Sequence, residues 1–137
     1  MSDYRFENDV FIIENYTQQK TFANFLPGVA GKKGIPLWAF YVNRAQGIAG
    51  YGLHNKNHPI MLFHSANKAY EHVFTDGFRT FIKVDGHIYE PFVNPEFPHR
   101  MGILKDSFYI EETHPTLGLH IKVTYFGMPN MPVAGLY

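Results

Sequence analysis

The 137-residue sequence contains no cysteine. That excludes a disulfide framework, thiolate zinc sites, thioredoxin-type redox chemistry and a cysteine nucleophile. It has no excess of either charge: Lys plus Arg is 12 and Asp plus Glu is 12. A phosphate-neutralising face usually shows as a basic surplus, so a nucleic-acid partner is not expected. No run reaches the roughly 18 apolar residues of a membrane span. The polar, acid-bearing start Met1–Asp9 lacks the basic tip and apolar stretch of a secretory leader. A cytoplasmic chain without a membrane partner is the expectation. Charged residues are also sparse, at 18% against roughly 25% in an average protein.

Aromatic area is plentiful instead, with 13 Phe, 9 Tyr and 1 Trp. That composition argues against disorder and for one packed domain. Apolar residues come in short bursts separated by Gly, Pro, Asn and Asp, the punctuation of strands and turns. Val10–Tyr16 reads as a first strand, and Thr17–Gly34 as irregular chain with a turn at Leu26-Pro27-Gly28. Gly31-Lys32-Lys33-Gly34 lacks the spacing of a phosphate-binding loop. Ile35–Val42 is the strongest strand, with Pro36 at its beginning. Asn43-Arg44-Ala45 turns the chain into Gln46–Leu53, whose three glycines predict a bulge or the close approach of another backbone.

Phe78–Val84 alternates with period two, and Asp85-Gly86 joins it to His87–Phe92 as a type I′ hairpin. Phe78, Thr80, Ile82 and Val84 should share one face, with Arg79, Phe81 and Lys83 on the other. Ser107–Glu112 and Leu119–Phe126 form a second long pair. Asn67–His72 is the best helical candidate and is short. Many closely spaced strands and almost no helix predict an all-β, antiparallel β-sandwich.

Eight histidines in a cysteine-free β protein raise a metal reading. No His-x-His occurs, and His54 and His58 lie in a turn-like stretch rather than on a helix, so H-E-x-x-H logic is absent. His58, His99 and His114 flank prolines, where polar loop residues are expected. No metal or other cofactor is called for. Ordinary glycoside hydrolysis needs two carboxylates, yet the acids are scattered, and Glu111 and Glu112 should point to opposite faces of one strand. Ser65 and Ser107 lack a nucleophile-elbow context. Nothing catalytic is expected of this chain alone.

Binding candidates remain. Trp38, Phe40 and Val42 share a strand face, and an aromatic face can stack on a sugar ring or simply fill a core. Arg44 and Gln46, beside Asn43, suit polyhydroxyl or phosphate recognition and equally suit a contact between domains. Tyr70 and Arg79 complete the set of substrate-binding or inter-domain candidates.

Several blocks resemble one family in register. Phe22–Gly28, Gly34–Ile48, His58-Pro59-Ile60-Met61, Ala66–Tyr70, Gly77–Lys83, Val123–Phe126 and Pro129-Asn130 are similar to the N-terminal region of cellobiose-phosphorylase-type glycoside phosphorylases. The 1,2-β-oligoglucan phosphorylase branch is the nearest. The likeness covers most of the chain and is weakest over 94–105. Ala45 stands where Gly is expected, and Gly50-Tyr51 where Ser-Phe is usual. The resemblance implies a galactose-mutarotase-like sandwich at the front of a large enzyme whose helical barrel carries the general acid. The parent would cleave β-glucans with phosphate, inverting the anomeric centre and releasing glucose 1-phosphate. Residues 1–137 would then be a single non-catalytic domain or a fragment of one. Its partners would be the barrel and a β-glucan oligosaccharide. The apolar end Val133–Tyr137 looks cut inside a strand, so self-association through an exposed edge is expected. The alternative is a freestanding carbohydrate-binding module.

Overall fold

A computed structural model describes residues 3–26 and 37–127, and the backbone of 134–136. Among the described residues, the regular structure is mostly antiparallel strand. One sheet runs in the order β1 (Tyr4–Glu7), β2 (Val10–Glu14), β9 (His99–Ile103), β10 (Ser107–Thr113), β11 (His120–Gly127) and β12 (Ala134–Leu136). A second sheet holds β3 (Ala23–Phe25), β4 (Leu37–Val42), β5 (Ile48–Leu53) and β6 (Pro59–Met61). β7 (Ile82–Val84) and β8 (His87–Tyr89) form a separate two-stranded sheet. Among the described residues there is a single α-helix, α1 (Ala66–Asp76), and one 3-10 turn over Tyr16–Gln18. No helix among the described residues is long and apolar enough to cross a membrane.

Period-two patterning explains how the two large sheets meet. Phe108, Ile110 and Glu112 alternate inward on β10, opposite Tyr125, Val123 and Ile121 of β11. Ala39 and Tyr41 do the same on β4. Tyr41 stacks on Phe108 at 4.4 Å between ring centroids, and Phe108 on Tyr125 at 4.6 Å. This column of rings joins the sheets and is surrounded by Ile13, Tyr16, Ile48, Phe92, Met101 and Val123. Burying a large aromatic removes 150–250 Å² from contact with water, so the column is a main source of cohesion.

The opposite face of β4 carries Phe40 and Val42, and α1 lies across it with Ala69 and Val73. The helix therefore extends well beyond the Asn67–His72 nucleus. His, Val, Phe and Thr are mediocre helix formers, but a stripe packed on a sheet stabilises what propensity alone does not.

The β7–β8 turn has φ of 47° at Asp85 and 85° at Gly86, the two positive values a type I′ turn demands. Phe78, Thr80, Ile82 and Val84 are half-buried while Arg79, Phe81 and Lys83 are exposed, so the expected faces hold although the strand proper starts at Ile82. Register shifts occur between Phe40 and Tyr41 and between Tyr51 and Gly52. At Gly52 a Cβ would stand 2.4 Å from the His58 carbonyl oxygen and 2.7 Å from the Trp38 ring. Both the bulge and the close approach expected of this glycine-rich strand are present.

Three readings are corrected. β1 is a strand, paired with β2 through Asn8 and Asp9 at φ 48° and 65°. Within the stretch read as irregular, Ala23–Phe25 pairs with β4. His99 is not a loop residue but opens β9 and is buried. Gly31–Gly34, Pro36 and the turn after Leu26 lie outside the described residues.

Candidate functional site

The polar turn between β4 and β5 is built from Asn43 to Gly47. Val42 donates its N–H to the Gly47 carbonyl at 2.8 Å, and Gly47 donates to Arg44 at 2.9 Å. Ala45 sits at φ 47°, a left-handed conformation that costs a residue with a Cβ about 1–2 kcal/mol. The substitution of Ala for an expected Gly therefore falls on the position where glycine would relieve strain. The Tyr16 hydroxyl donates to the Ala45 carbonyl and fixes the turn from the 3-10 turn that follows β2.

Each polar candidate in this turn has internal partners. Asn43 is fully buried. Its amide donates to the Tyr16 and Lys20 carbonyls, each at 2.9 Å, and its oxygen accepts the Phe22 N–H at 2.9 Å. Arg44 donates to the Asn43 carbonyl at 2.6 Å and the Gln19 carbonyl at 3.0 Å. Its guanidinium lies 5.9 Å from the Tyr70 ring centre. Burial lowers its pKa from the ordinary range, since desolvation disfavours the charged form. Gln46, also buried, accepts the Thr80 hydroxyl at 3.0 Å. Asn43, Arg44, Gln46 and Tyr70 thus gather at one end of β4 as a scaffold tying the turn to the chain before β3 and to α1.

Trp38 stands at the other end of that strand. Its indole N–H donates to the Asn55 carbonyl at 3.0 Å, and its ring packs against Phe25 and Phe63. These rings and His54, Asn55 and Lys56 line an open cleft of about 220 Å³. Arg79 is separate again, beside the β7–β8 hairpin. It forms a two-pronged pair with Glu90 at 2.7 and 2.8 Å and lies 5.0 Å over the Phe81 ring. That bond holds the Glu90 carboxyl below its ordinary pKa. The six candidates do not converge on one cavity.

Glu111 and Glu112 do point to opposite faces. Glu111 is buried among Arg100, Lys122 and His120 at 3.2, 3.6 and 3.1 Å. Glu112 enters the core between the sheets, where one oxygen accepts the Phe92 N–H at 2.8 Å and the other is buried without a partner. Desolvation raises its pKa to about 7. The Tyr125 hydroxyl is buried without a partner as well, and burial raises its pKa strongly.

His99, the cross-strand neighbour of Glu112, has a defined tautomer. A carbonyl can only accept, so Nδ1 carries the proton donated to Phe97 at 2.6 Å, and Nε2 accepts from the Thr17 hydroxyl at 2.8 Å. Burial holds its pKa below the ordinary value. The buried Glu112 was legible in part, because Phe108, Ile110 and Glu112 share a parity on their strand.

Among the described residues, no group of three or more His, Asp or Glu side chains could hold a metal ion. No family profile, curated protein or solved structure matches the chain.

Proposed function

We propose that the chain is the non-catalytic, carbohydrate-associated N-terminal β-sandwich, of galactose-mutarotase-like type, of a glycoside phosphorylase acting on β-glucans. The residue blocks that resemble that family support the assignment. From the geometry, one observation carries it. The polar groups singled out for binding are held by the fold itself, while Ile60, Leu62, Phe81 and Ile88 remain more than half exposed. Such a surface suits a domain that is covered by a further body, and here that body is the helical barrel of the same enzyme.

The parent reaction is inverting phosphorolysis giving glucose 1-phosphate. A full-length protein that releases glucose 1-phosphate from a β-glucan and phosphate, with residues 1–137 alone inactive, is the expected result. A natural reading frame ending at Tyr137 would refute it. The aromatic cleft at Trp38 favours the alternative, a freestanding carbohydrate-binding module. Calorimetric titration with β-1,2-glucan oligosaccharides separates the two. Binding by residues 1–137 that is abolished in Trp38→Ala or Arg44→Ala supports the module.

A further inference from the structure

Among the described residues, β1 is an end strand of the six-stranded sheet. Its pairing with β2 sets which of its backbone groups face outward. Glu14 donates its N–H to the Asp3 carbonyl at 2.9 Å, in the register that places Tyr4 opposite Ile13. Peptide groups alternate in direction along a strand. Asp3, Arg5 and Glu7 therefore turn theirs toward β2, and Phe6 turns its N–H and C=O to the outer side. The side chains divide in the same way. On one face Arg5 reaches Glu7 at 3.3 Å and Glu14 at 2.6 Å. On the other, Tyr4 and Phe6 lie beside Phe11, at 6.2 and 5.3 Å between ring centres. Phe6 is nevertheless 78% exposed.

An edge strand invites another strand, and charged side chains along it normally discourage that. Here the two charges are of opposite sign and two residues apart, which makes them selective instead. A second copy can lie antiparallel against β1 in registers that bring outward-turned residues together. With Phe6 opposite Phe6 of the second copy, Arg5 stands opposite Glu7 and Glu7 opposite Arg5. These are non-hydrogen-bonded positions, where Cα atoms approach to about 4.5 Å and side chains are closest. Moving the register so that Phe6 faces Tyr4 sets Arg5 against Arg5. Moving it so that Phe6 faces Asn8 sets Glu7 against Glu7. Like charges directly opposite one another disfavour both. A slip of one residue presents peptide groups already turned toward β2.

We propose that two copies of this chain join through β1, antiparallel and centred on Phe6, into one continuous sheet. The two Phe6 residues exchange both backbone hydrogen bonds, and their rings meet beside the two Phe11 rings. The contact is isologous, so each copy uses its own β1 edge and the assembly closes at the dimer. The inference rests on β1 alone, apart from the carbohydrate reading and from the edge expected at Val133–Tyr137.

The test is sedimentation velocity of the full-length protein over a wide concentration range. A monomer–dimer equilibrium without larger species is expected. Phe6→Asp, at an exposed position that leaves the fold intact, places two carboxylates at the axis and should weaken dimerisation by about tenfold or more. Arg5→Glu sets Glu against Glu across the axis, and Glu7→Arg sets Arg against Arg, so each variant alone should dimerise about tenfold more weakly. Mixed in equal amounts, the two should recover a dimer with one copy of each, because every cross-axis pair is then of opposite charge. A fold defect in either variant would not be rescued by mixing. If loss of the Glu14 pair unfolds Arg5→Glu, then Phe6→Asp and Glu7→Arg still decide the outcome. A protein that stays monomeric at its highest soluble concentration, a dimer indifferent to Phe6→Asp, or folded charge variants that fail to pair on mixing would overturn the proposal.

Discussion

Replacing Glu112 by Gln should make the protein more stable at pH 8 while altering it little near pH 4.5. Glu112 is 1% exposed, with one oxygen held by the Phe92 N–H and the other unpartnered. Its carboxyl is moved from the ordinary 4.5 to about 7, which at about 1.36 kcal/mol per pH unit corresponds to roughly 3.4 kcal/mol. The sign follows from where the proton binds more tightly. Below 4.5 the acid is protonated in both folded and unfolded chains and contributes nothing. Between 4.5 and about 7 the unfolded chain ionises while the folded one keeps its proton, so stability falls as pH rises. Above 7 the whole penalty is present.

His99 acts in the opposite sense, because its folded pKa is depressed by burial. The unfolded chain takes up a proton below about 6.5 and the folded one resists, so stability is lost as pH falls. The wild-type curve is therefore a compromise between two buried groups, and the informative quantity is the difference between wild type and variant. Urea midpoints measured from pH 4.5 to 8 should show that difference growing by about 3 kcal/mol, a large part of the roughly 5–15 kcal/mol that holds a domain together. A difference that is flat across this range would refute the placement of Glu112 as a protonated core carboxyl.

Asn43→Ala should cost about 3 kcal/mol in urea unfolding, because its side chain makes three hydrogen bonds to backbone groups, one of them buried and two partly buried, each worth about 0.5–1.5 kcal/mol. Ala45→Gly should stabilise by about 0.5 kcal/mol: relief of the left-handed backbone, about 1–2 kcal/mol, outweighs a lost buried methyl of about 0.8 kcal/mol. An unchanged or lower unfolding midpoint would refute that strain. Glu111→Gln should destabilise by about 2 kcal/mol by weakening charge-assisted contacts to Arg100, Lys122 and His120. That loss should shrink in high salt; a salt-independent loss would refute the electrostatic account.

The long antiparallel pairs were legible because one signal fixed both face and register. On β10 and β11, parity alone separates Phe108, Ile110 and Glu112 from Tyr109 and Glu111. The β7–β8 turn was equally plain, since Asp-Gly satisfies two positive φ values with residues that tolerate them. β1 was missed because its turn uses Asn8 and Asp9, without glycine, and its alternation of Tyr4 and Phe6 with Arg5 and Glu7 was masked by polarity. β3 has three residues, and its pairing with β4 is a non-local event that local propensity does not encode.

The same division applies to the candidate sites. The β4–β5 turn was visible as a polar cluster, but whether Asn43 and Arg44 face solvent or the chain's own carbonyls depends on Tyr16, Gln19 and Lys20, more than twenty positions away.

β6 opens with Pro59, has only three residues and forms an outer strand of the four-stranded sheet. A proline nitrogen has no hydrogen to offer a further strand, and so short a ladder gives an incoming chain little to pair with. Growth of that sheet by recruitment of a neighbouring molecule is blocked on this side. The protection is local, for β1 of the larger sheet has no such stop and presents Phe6 at 78% exposure. Any tendency to polymerise should therefore be directional, leaving the helix-covered sheet unextended at β6.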